Sequence, residues 1–288
     1  MSLSHRGRQI CFLAAWLLPA LIVATPVYAS LPKASHVPGG VARVPLATWS
    51  GNSPPPQAWW GEQRVLVKIE DDQWVALVGL PLDTATGTHS LRVDGLADKA
   101  TVDFFVADKH YPAQHIRLKD NSKVELSAAD LTRVNRETAK LQDLKKHWRD
   151  AGQTDTQFVL PANGKLSGRF GLRRYFNGQA RSPHAGFDIA VPRGSAVRAN
   201  ADGIVLDIGD YFFNGKTVFI DHGNGLLSMY CHLDHIDVAV GQVVDKRQVI
   251  GLSGMTGRAT GPHLHWSVIL NGAMVDPELF VARSAPTR

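Results

Sequence analysis

The sequence predicts a mainly β protein in two parts, and three observations carry that prediction. Short segments rich in β-branched and aromatic residues recur along most of the 288 residues. Turn-forming residues separate these segments, whereas apolar residues at helical spacing form one stretch near the middle. The composition, with 44% hydrophobic and 20% charged residues, is that of a folded globular chain. A chain of this length has room for about two domains.

The first 29 residues have the pattern of a secretory signal peptide. Two arginines without an acidic residue precede an apolar run over residues 10–24, and residues 27–29 (Val-Tyr-Ala) are typical of a cleavage site. The alternative is a membrane anchor, but the run contains Pro19 and is shorter than the roughly twenty residues that a transmembrane helix needs. We therefore expect an exported protein, periplasmic in the first instance or else secreted, without a transmembrane helix after cleavage.

Charge and cysteine content exclude several classes. The formal net charge is +5, and loss of Arg6 and Arg8 with the signal would leave +3. This balance favours contact with anionic surfaces, but the sequence has no Lys/Arg run or aromatic-basic motif, so no nucleic-acid partner is expected. Cys231 would be the single cysteine of the mature chain, which excludes an intramolecular disulfide and a cysteine-based zinc site.

Residues 30–110 predict a small amino-terminal β-sandwich domain. Residues 30–60 are rich in Pro, Gly and Ser and predict loop with one short strand. Close spacing of the strand-like segments that follow favours an antiparallel sandwich over alternating strands and helices. We expect Trp59 and Trp60 to be core or interface residues rather than a platform for sugar. The strand-like segments are residues 64–69, 74–80, 89–93 and 101–106.

Residues 111–156 predict a linker with one amphipathic helix over about residues 127–148. Ser127-x-x-Asp130 resembles a capping box, and residues 152–155 predict the end of the helical region. The expected packing face consists of Leu131, Val134, Leu141, Leu144 and Trp148.

Residues 157–288 predict an all-β domain with a curved, partly barrel-like antiparallel sheet. Glycine recurs throughout, and the strand-like segments are short. These segments are residues 196–200, 203–209, 216–221, 226–233, 249–254 and 263–270.

Three places in this last domain carry histidines in patterns typical of metal ligands. They are His184-x-x-x-Asp188, His232 after Tyr230-Cys231, and His263-Leu264-His265. Residues two apart on a strand share a face, so His263 and His265 can point to one side. The same alternation predicts His232 on the face of Tyr230, with Cys231 buried opposite. Two imidazoles and one carboxylate, with a fourth position for water, are typical of catalytic zinc.

An ordered series of motifs over residues 166–277 resembles the M23 (lysostaphin/LytM-type) peptidoglycan metallopeptidases. The series is Ser167-Gly-Arg-Phe-Gly171, His184-Ala-Gly-Phe-Asp188, Asp202-Gly203, Asp221-His-Gly-Asn-Gly225, Tyr230-Cys-His-Leu233, Gly241-Gln242, Gly261-Pro-His-Leu-His265, Asn271-Gly272 and Asp276-Pro277. The domain before it resembles, less specifically, the accessory domains of some exported members.

The resemblance implies a zinc metalloendopeptidase that acts on peptidoglycan. It implies one zinc ion per chain, bound by His184, Asp188 and His265. It assigns His232 and His263 to catalysis, one as base and one as transition-state stabiliser, and leaves open which is which. The simple signal peptide and the absence of a lysostaphin-type wall-binding module favour a periplasmic D,D-endopeptidase that cuts D-alanyl–diaminopimelate bonds. Cleavage of glycine bridges, or a lytic role outside the cell, stays open.

Further residues and departures from the family pattern follow from the same resemblance. Tyr175 is a candidate hydroxyl for the oxyanion, and Arg173 and Asn177 are candidate substrate contacts. Cys231 stands where a small residue is usual, and Arg247 stands in the glycine position of a turn away from the metal. His222 and His235 are expected to be turn or surface residues.

Three alternatives belong to other classes or add regulation. A catalytically silent LytM-type regulator would bind and activate cell-wall amidases, but such relatives have lost metal ligands, and here all the ligand positions are filled. A lipoyl- or biotinyl-carrier domain would need a modifiable lysine at a hairpin tip, which neither half shows. The third alternative is a regulated enzyme. Its amino-terminal domain or linker helix would cover the zinc cleft until an unidentified regulatory partner or a processing event moves it.

Overall fold

The computed structural model describes residues 31–51, 54–95, 101–117 and 125–281. Strands dominate these ranges, which confirms the predicted mainly β fold class. The predicted signal peptide over residues 1–29 lies outside the described residues. None of the helical segments in the described ranges combines the length and the apolar character of a membrane span.

Six strands form the amino-terminal sheet. Its order is β1-β4-β3-β2-β5-β6, with every neighbouring pair antiparallel. The sheet curls around a buried apolar cluster that includes Trp74, Leu80 and Phe104, with Trp60 packed against it. The strands are β1 (Val41–Thr48), β2 (Gln57–Trp60), β3 (Gln63–Glu70), β4 (Gln73–Gly79), β5 (Gly87–Asp94) and β6 (Thr101–Val106).

The interpretation of residues 30–60 as loop with one short strand was wrong. The region contains the eight-residue strand β1 and the four-residue strand β2. In β1, Val41, Ala42 and Val44 are buried, and the strand pairs along almost its full length with β4. Pairing and burial therefore outweigh the local content of turn-forming residues.

The linker contains a short strand and one helix. Strand β7 (Ala113–Ile116) is followed by α1 (Ala128–Lys145), whose amino-terminal cap is Ser127. The Ser127 hydroxyl oxygen accepts a hydrogen bond from the Asp130 amide at 3.1 Å, as the capping motif predicts. The predicted end near residue 148 was too late, because Lys146 already caps the helix. Leu141 and Leu144 pack on the second sheet, but Leu131 is 50% exposed and does not belong to the packing face.

The remaining strands build the carboxy-terminal domain. They are β8 (Lys165–Gly168), β9 (Arg173–Phe176), β10 (Gln179–Ala180), β11 (Phe187–Ala190), β12 (Ala196–Arg198), β13 (Gly203–Tyr211), β14 (Gly215–Asp221), β15 (Leu226–Ile236), β16 (Val243–Val244), β17 (Val249–Ser253), β18 (Leu264–Leu270) and β19 (Ala273–Val275), with a 3-10 turn over Pro277–Leu279.

One antiparallel sheet dominates this domain and curves until it is nearly closed. Its main path runs β16-β13-β14-β15-β18-β11-β8, and β17 joins β12 to β15 while β19 extends β18. Alternate residues of β18 face opposite sides: Leu264, Trp266 and Val268 enter the main core, whereas Ile269 joins a smaller cluster under α1. His265 lies on the same face of the sheet as Ile269, the face that α1 covers. We call this the functional face, because it carries the predicted site residue His265.

The amino-terminal sheet packs against the other side of the large sheet. Val41, Leu66, Val75 and Leu77 belong to the same buried cluster as the core of the carboxy-terminal domain. The Asn271 side chain also connects the two parts: its Oδ1 accepts a hydrogen bond from the buried Gly79 amide at 2.9 Å. The two parts therefore share apolar surface, and the residue boundaries drawn between them stay a prediction.

Replacing Asn271 tests how much this hydrogen bond contributes to the free energy of unfolding. Asn271→Gly keeps the left-handed backbone (φ 41°) but leaves the buried Gly79 amide without its acceptor. We expect a loss of about 1–3 kcal/mol in the free energy of unfolding, measured by urea denaturation. Asn177→Gly, at an exposed turn with φ 49°, is the matched control and should change stability by less than about 0.5 kcal/mol. Equal effects in the two variants would contradict the assignment.

Arg247 gives a second stability test. It has φ 72°, a backbone conformation that favours glycine, and its side chain is exposed. A side chain in this conformation costs about 1–2 kcal/mol, so Arg247→Gly should raise stability by about 0.5–1 kcal/mol after the entropy of the unfolded glycine is subtracted. Arg247→Ala keeps the strain and should leave the thermal midpoint unchanged. A gain of the same size in both variants would show that the side chain, not the backbone, is responsible.

Candidate active site

Three side-chain atoms with lone pairs meet at one point on the functional face. Asp188 of β11 lies directly opposite His265 of β18 in the antiparallel pair, and His184 reaches them from the loop before β11. His184 Nε2 lies 2.9 Å from Asp188 Oδ1 and 3.0 Å from His265 Nδ1, and the last two atoms are 2.8 Å apart. The structure thus brings together the three residues that the resemblance implied as metal ligands.

The outer hydrogen bonds of the two imidazoles define which nitrogen faces the centre. His184 Nδ1–H donates to the Arg169 carbonyl at 2.7 Å, and His265 Nε2 lies 2.9 Å from the Ser267 hydroxyl. In the neutral rings, the form that binds a metal, His184 Nε2 therefore carries the lone pair, and His265 Nδ1 carries it when Nε2–H donates to the Ser267 hydroxyl; both lone pairs then point toward Asp188 Oδ1. Three convergent electron-pair donors repel one another unless a cation lies between them, so this donor set fits a metal ion.

Electrostatics keep the carboxylate ionised. Burial by itself raises the pKa of Asp188, but hydrogen bonds and charge from the protonated forms of His184 and His265 outweigh burial and hold that pKa well below its usual range. Burial, opposed by Asp188, lowers the pKa of His265 to about 4. At neutral pH the site therefore offers one carboxylate and neutral imidazole, the protonation states that metal binding requires.

Two glycines make room for this arrangement. A Cβ at Gly168 would lie 2.3 Å from Asp188 Oδ2, and one at Gly186 would lie 2.5 Å from the Ser267 hydroxyl oxygen. Any side chain at either position would displace Asp188 or the partner of His265. Steric crowding at the site thus explains why glycine occupies positions 168 and 186.

His232 and His263 lie beside the ligand set. Their ring centroids are 4.7 Å apart, and the rings of His232 and His265 are 6.0 Å apart. Each donates its Nδ1–H to a backbone carbonyl at 2.8 Å, His232 to Thr256 and His263 to Gly261. His263 Nε2 is 3.8 Å from Asp188 Oδ1. Burial, with the neighbouring imidazoles, lowers the pKa of His232 to about 3, which leaves this ring neutral.

The structure corrects the prediction that His232 faces the same side as Tyr230. Tyr230 enters the main core, where its hydroxyl bonds Asn200, and Cys231 is buried on the functional side, opposite His265. His232 has φ 62°, which interrupts the strand alternation and turns its ring toward His265. A non-glycine residue in this conformation is strained, and such strain is common at functional sites.

Arg174 is a site residue that the sequence argument missed. Its Nη2 donates to Asp188 Oδ2 at 2.7 Å, so the carboxylate directs Oδ1 to the histidines and Oδ2 to the guanidinium. The Arg174 Nε is buried without a hydrogen-bond partner in the described structure. Alternation along β9 was an available signal, because it separates Arg174 from its neighbour Arg173.

The three further candidates on β9 and in the turn that follows it make contacts outside the ligand set. Arg173 points away and donates to the Tyr111 carbonyl at 3.0 Å. Tyr175 stacks on His115 of β7, with ring centroids 4.7 Å apart. Asn177 forms the turn between β9 and β10 with Gly178. Of the two remaining histidines, His222 is buried and bonded to the Asp202 carbonyl and Ser228, whereas His235 is exposed beside Asp237.

Comparison with family models matches both parts of the chain. Residues 182–277 match the model described as peptidase family M23, and residues 34–109 match that of the peptidase family M23 N-terminal domain. The fold is similar to a crystal structure of a peptidase M23 protein from Pseudomonas aeruginosa. The two share 41% sequence identity over 85% of this chain and 95% of the other, with a TM-score of 0.72.

Curated relatives match part of the chain. Peptidoglycan DD-endopeptidase ShyA of Vibrio cholerae is 40% identical over 121 residues, which are 42% of this chain and 28% of that protein. DD-carboxypeptidase/endopeptidase Mpg of Neisseria meningitidis is 41% identical over 113 residues, 39% of this chain and 26% of that protein. The matched region thus spans little more than a quarter of the length of these relatives.

The contact between Arg174 and Asp188 predicts a role in metal affinity. Arg174→Gln removes the charge that fixes the carboxylate, and loss of such an outer partner typically weakens metal binding about 10- to 100-fold. Competition with a chromogenic zinc chelator would measure the affinity directly. Arg173→Gln is the matched control, since its side chain bonds Tyr111 instead. Unchanged zinc affinity in Arg174→Gln would contradict the role.

Proposed function

The chain belongs to peptidase family M23, and from that membership we propose that it is a zinc endopeptidase that hydrolyses peptide cross-links of bacterial peptidoglycan. The observation that carries the proposal is the convergence of His184, Asp188 and His265 on one point, with His232 and His263 beside it. A purely structural cluster would have no need of five such side chains around three convergent lone pairs.

In this proposal His184 Nε2, Asp188 Oδ1 and His265 Nδ1 hold one zinc ion. Zinc bound by three protein ligands supplies a Lewis acid that polarises a peptide carbonyl and lowers the pKa of water to about 7. Arg169, Ser267 and Arg174 orient the three ligands through the hydrogen bonds described above. These bonds hold the ligands in place before substrate arrives.

In this proposal His232 and His263 transfer the proton of the attacking water and stabilise the negative charge that develops on the carbonyl oxygen. Both present Nε2 to the centre, because both use Nδ1–H on a backbone carbonyl. One can accept a proton from the attacking water, and the other, once protonated, can donate to the carbonyl oxygen as it becomes negative. The amide C–N bond then breaks, the water oxygen stays on the new carboxyl group, and the proton leaves with the amine.

The substrate we propose is the D-alanyl–diaminopimelate cross-link. The names of ShyA and Mpg as DD-endopeptidases support this choice, since they are 40% and 41% identical to this chain over 121 and 113 residues. Peptidoglycan lies outside the cytoplasm, and this agrees with the signal peptide proposed over residues 1–29 and with a periplasmic location. The relatives behind the silent-regulator alternative have lost metal ligands, and the complete set at positions 184, 188 and 265 speaks against that alternative.

Digestion of purified diaminopimelate-type peptidoglycan, resolved by mass spectrometry, tests the proposal. The metal-loaded protein should convert cross-linked dimers to monomers. A zinc chelator should abolish that conversion, and His265→Ala should lower it by at least about 100-fold, because the variant loses a metal ligand.

His235→Ala is the control, because His235 is exposed and pairs with Asp237. It should retain the activity of the unmodified protein. Conversion that persists in the chelator, or that is equal in His265→Ala and His235→Ala, would contradict a metal-dependent reaction at this site. Absence of cleavage by the metal-loaded protein would contradict the proposed hydrolysis of this cross-link and favour another substrate or the regulator alternative.

A further inference from the structure

A cavity of about 280 Å³ opens beside the candidate metal ligands. His184 and His265 form part of its wall, so anything bound in the cavity lies next to the reacting centre. Its other walls come from α1, from the loop before β11 and from the turn between β13 and β14. The mechanism proposed above does not use this space.

The cavity combines apolar surface with positive charge. Its charged lining residues, apart from the histidines, are Lys145, Arg174 and Arg258, and no Asp or Glu occurs among the described residues that line it. The nearby carboxylate of Asp188 is bonded to Arg174 and to the two histidines. The apolar lining includes Leu141, Phe219, Met229, Ile269 and Met274. This chemistry suits a ligand with an aliphatic stem and an anionic group.

Arg258 is held firmly at the cavity wall. Its guanidinium carbon lies 4.2 Å from the ring centroid of Phe213 and 4.8 Å from that of Phe176. Its backbone amide donates to the Phe213 carbonyl at 2.8 Å, which ties the loop to the turn after β13. A guanidinium fixed between two rings loses little freedom when it binds a carboxylate, and its planar fork matches carboxylate geometry.

The surrounding charge favours an anion at this point. Burial, and then the like charges of Arg174 and Arg181, lower the pKa of Arg258 to about 10. The group stays protonated at neutral pH, but its positive charge is in an unfavourable environment. A carboxylate placed against it would compensate for the lost hydration and offset the like charges.

We propose that this cavity receives the amino-acid residue on the nitrogen side of the scissile amide and that Arg258 binds the free α-carboxylate of that residue. The inference rests on the proposed peptidase function and specifies its substrate class. Arg258 is then a specificity residue that touches substrate, whereas Arg174 positions Asp188 and adds positive charge.

The chemistry of the cross-link matches the two halves of the cavity. In a D-alanyl–diaminopimelate bond, the carbon attached to the scissile nitrogen also carries a free carboxylate and begins a chain of three methylenes. The carboxylate meets the cationic wall, and the methylenes meet the apolar wall. A terminal D-alanine offers the same carboxylate, whereas glycine within a bridge, or an amidated diaminopimelate, does not. The enzyme should therefore discriminate by that carboxylate.

The test compares two synthetic cross-linked muropeptides that differ only at this group, one with the free carboxylate and one with the carboxamide. With the full-length zinc-loaded protein, kcat/KM should be about 10- to 100-fold higher for the free acid, the range expected for a hydrogen bond to a charged group. Arg258→Gln should lose that factor on the free acid and leave the carboxamide rate unchanged. Arg136→Gln, an exposed arginine of α1, is the matched control and should keep the preference.

The possible outcomes distinguish failure of this inference from failure of the function on which it rests. Equal rates on the two muropeptides with the unmodified protein would overturn carboxylate recognition while leaving the peptidase function intact. An equal loss on both substrates in Arg258→Gln would assign Arg258 to structure and also overturn the inference. Absence of cleavage of either muropeptide would overturn the proposed function and the inference together. The substrate pair is decisive even if the variant folds poorly, because its first comparison needs the unmodified protein alone.

Discussion

The antiparallel pairing of β11 with β18 is the constraint on which the site depends. It sets Asp188 directly opposite His265, at the separation where side chains of facing residues meet. His184 is tied to the same frame by two backbone hydrogen bonds, one from its amide to the Leu172 carbonyl and one to its carbonyl from the Gly171 amide. A slip of one residue in this pairing would move His265 into the core and Trp266 onto the functional face.

A second set of contacts positions the groups around the ligands. Thr256 connects His232 to two strands. Its carbonyl accepts a hydrogen bond from His232, and its hydroxyl accepts from the Lys216 amide and donates to the Leu233 carbonyl. Arg258 follows two residues later on the same loop, where it contacts the turn after β13. The orientation of His232 and the position of the proposed carboxylate-binding arginine are therefore coupled through one loop. A change in that loop should affect the proton-transfer group and the specificity group together.

Both sides of the large sheet are covered by chain that precedes it. The amino-terminal sheet packs on the core side, and α1 packs on the functional side, where Leu141 and Lys145 complete the cavity wall. Strand β7 pairs with β9, the strand that carries Arg174. The linker is thus part of the site's surroundings. The hypothesis that it restrains activity stays a prediction, and the packing of α1 and β7 indicates the surfaces that such a restraint would use.

What the sequence alone determined is what depends on local pattern. Alternation and turn residues predicted β3, β4, β5, β6 and most strands of the large sheet, and Ser127 predicted the start of α1. The ordered motifs predicted which histidines and aspartate would meet. Strand β1 was missed because its Pro- and Gly-containing surroundings indicate loop, and only pairing with β4 makes it a strand. The side of the sheet to which His232 points was predicted wrongly, because its single positive φ interrupts the alternation of side chains along β15. Arg174 and Arg258 were missed because they are 84 positions apart in the chain, and only the curvature of the sheet brings them to one cavity. Local sequence can specify residue type and strand period, whereas side chains that converge from separate strands and loops are placed by long-range packing, which tertiary structure alone decides.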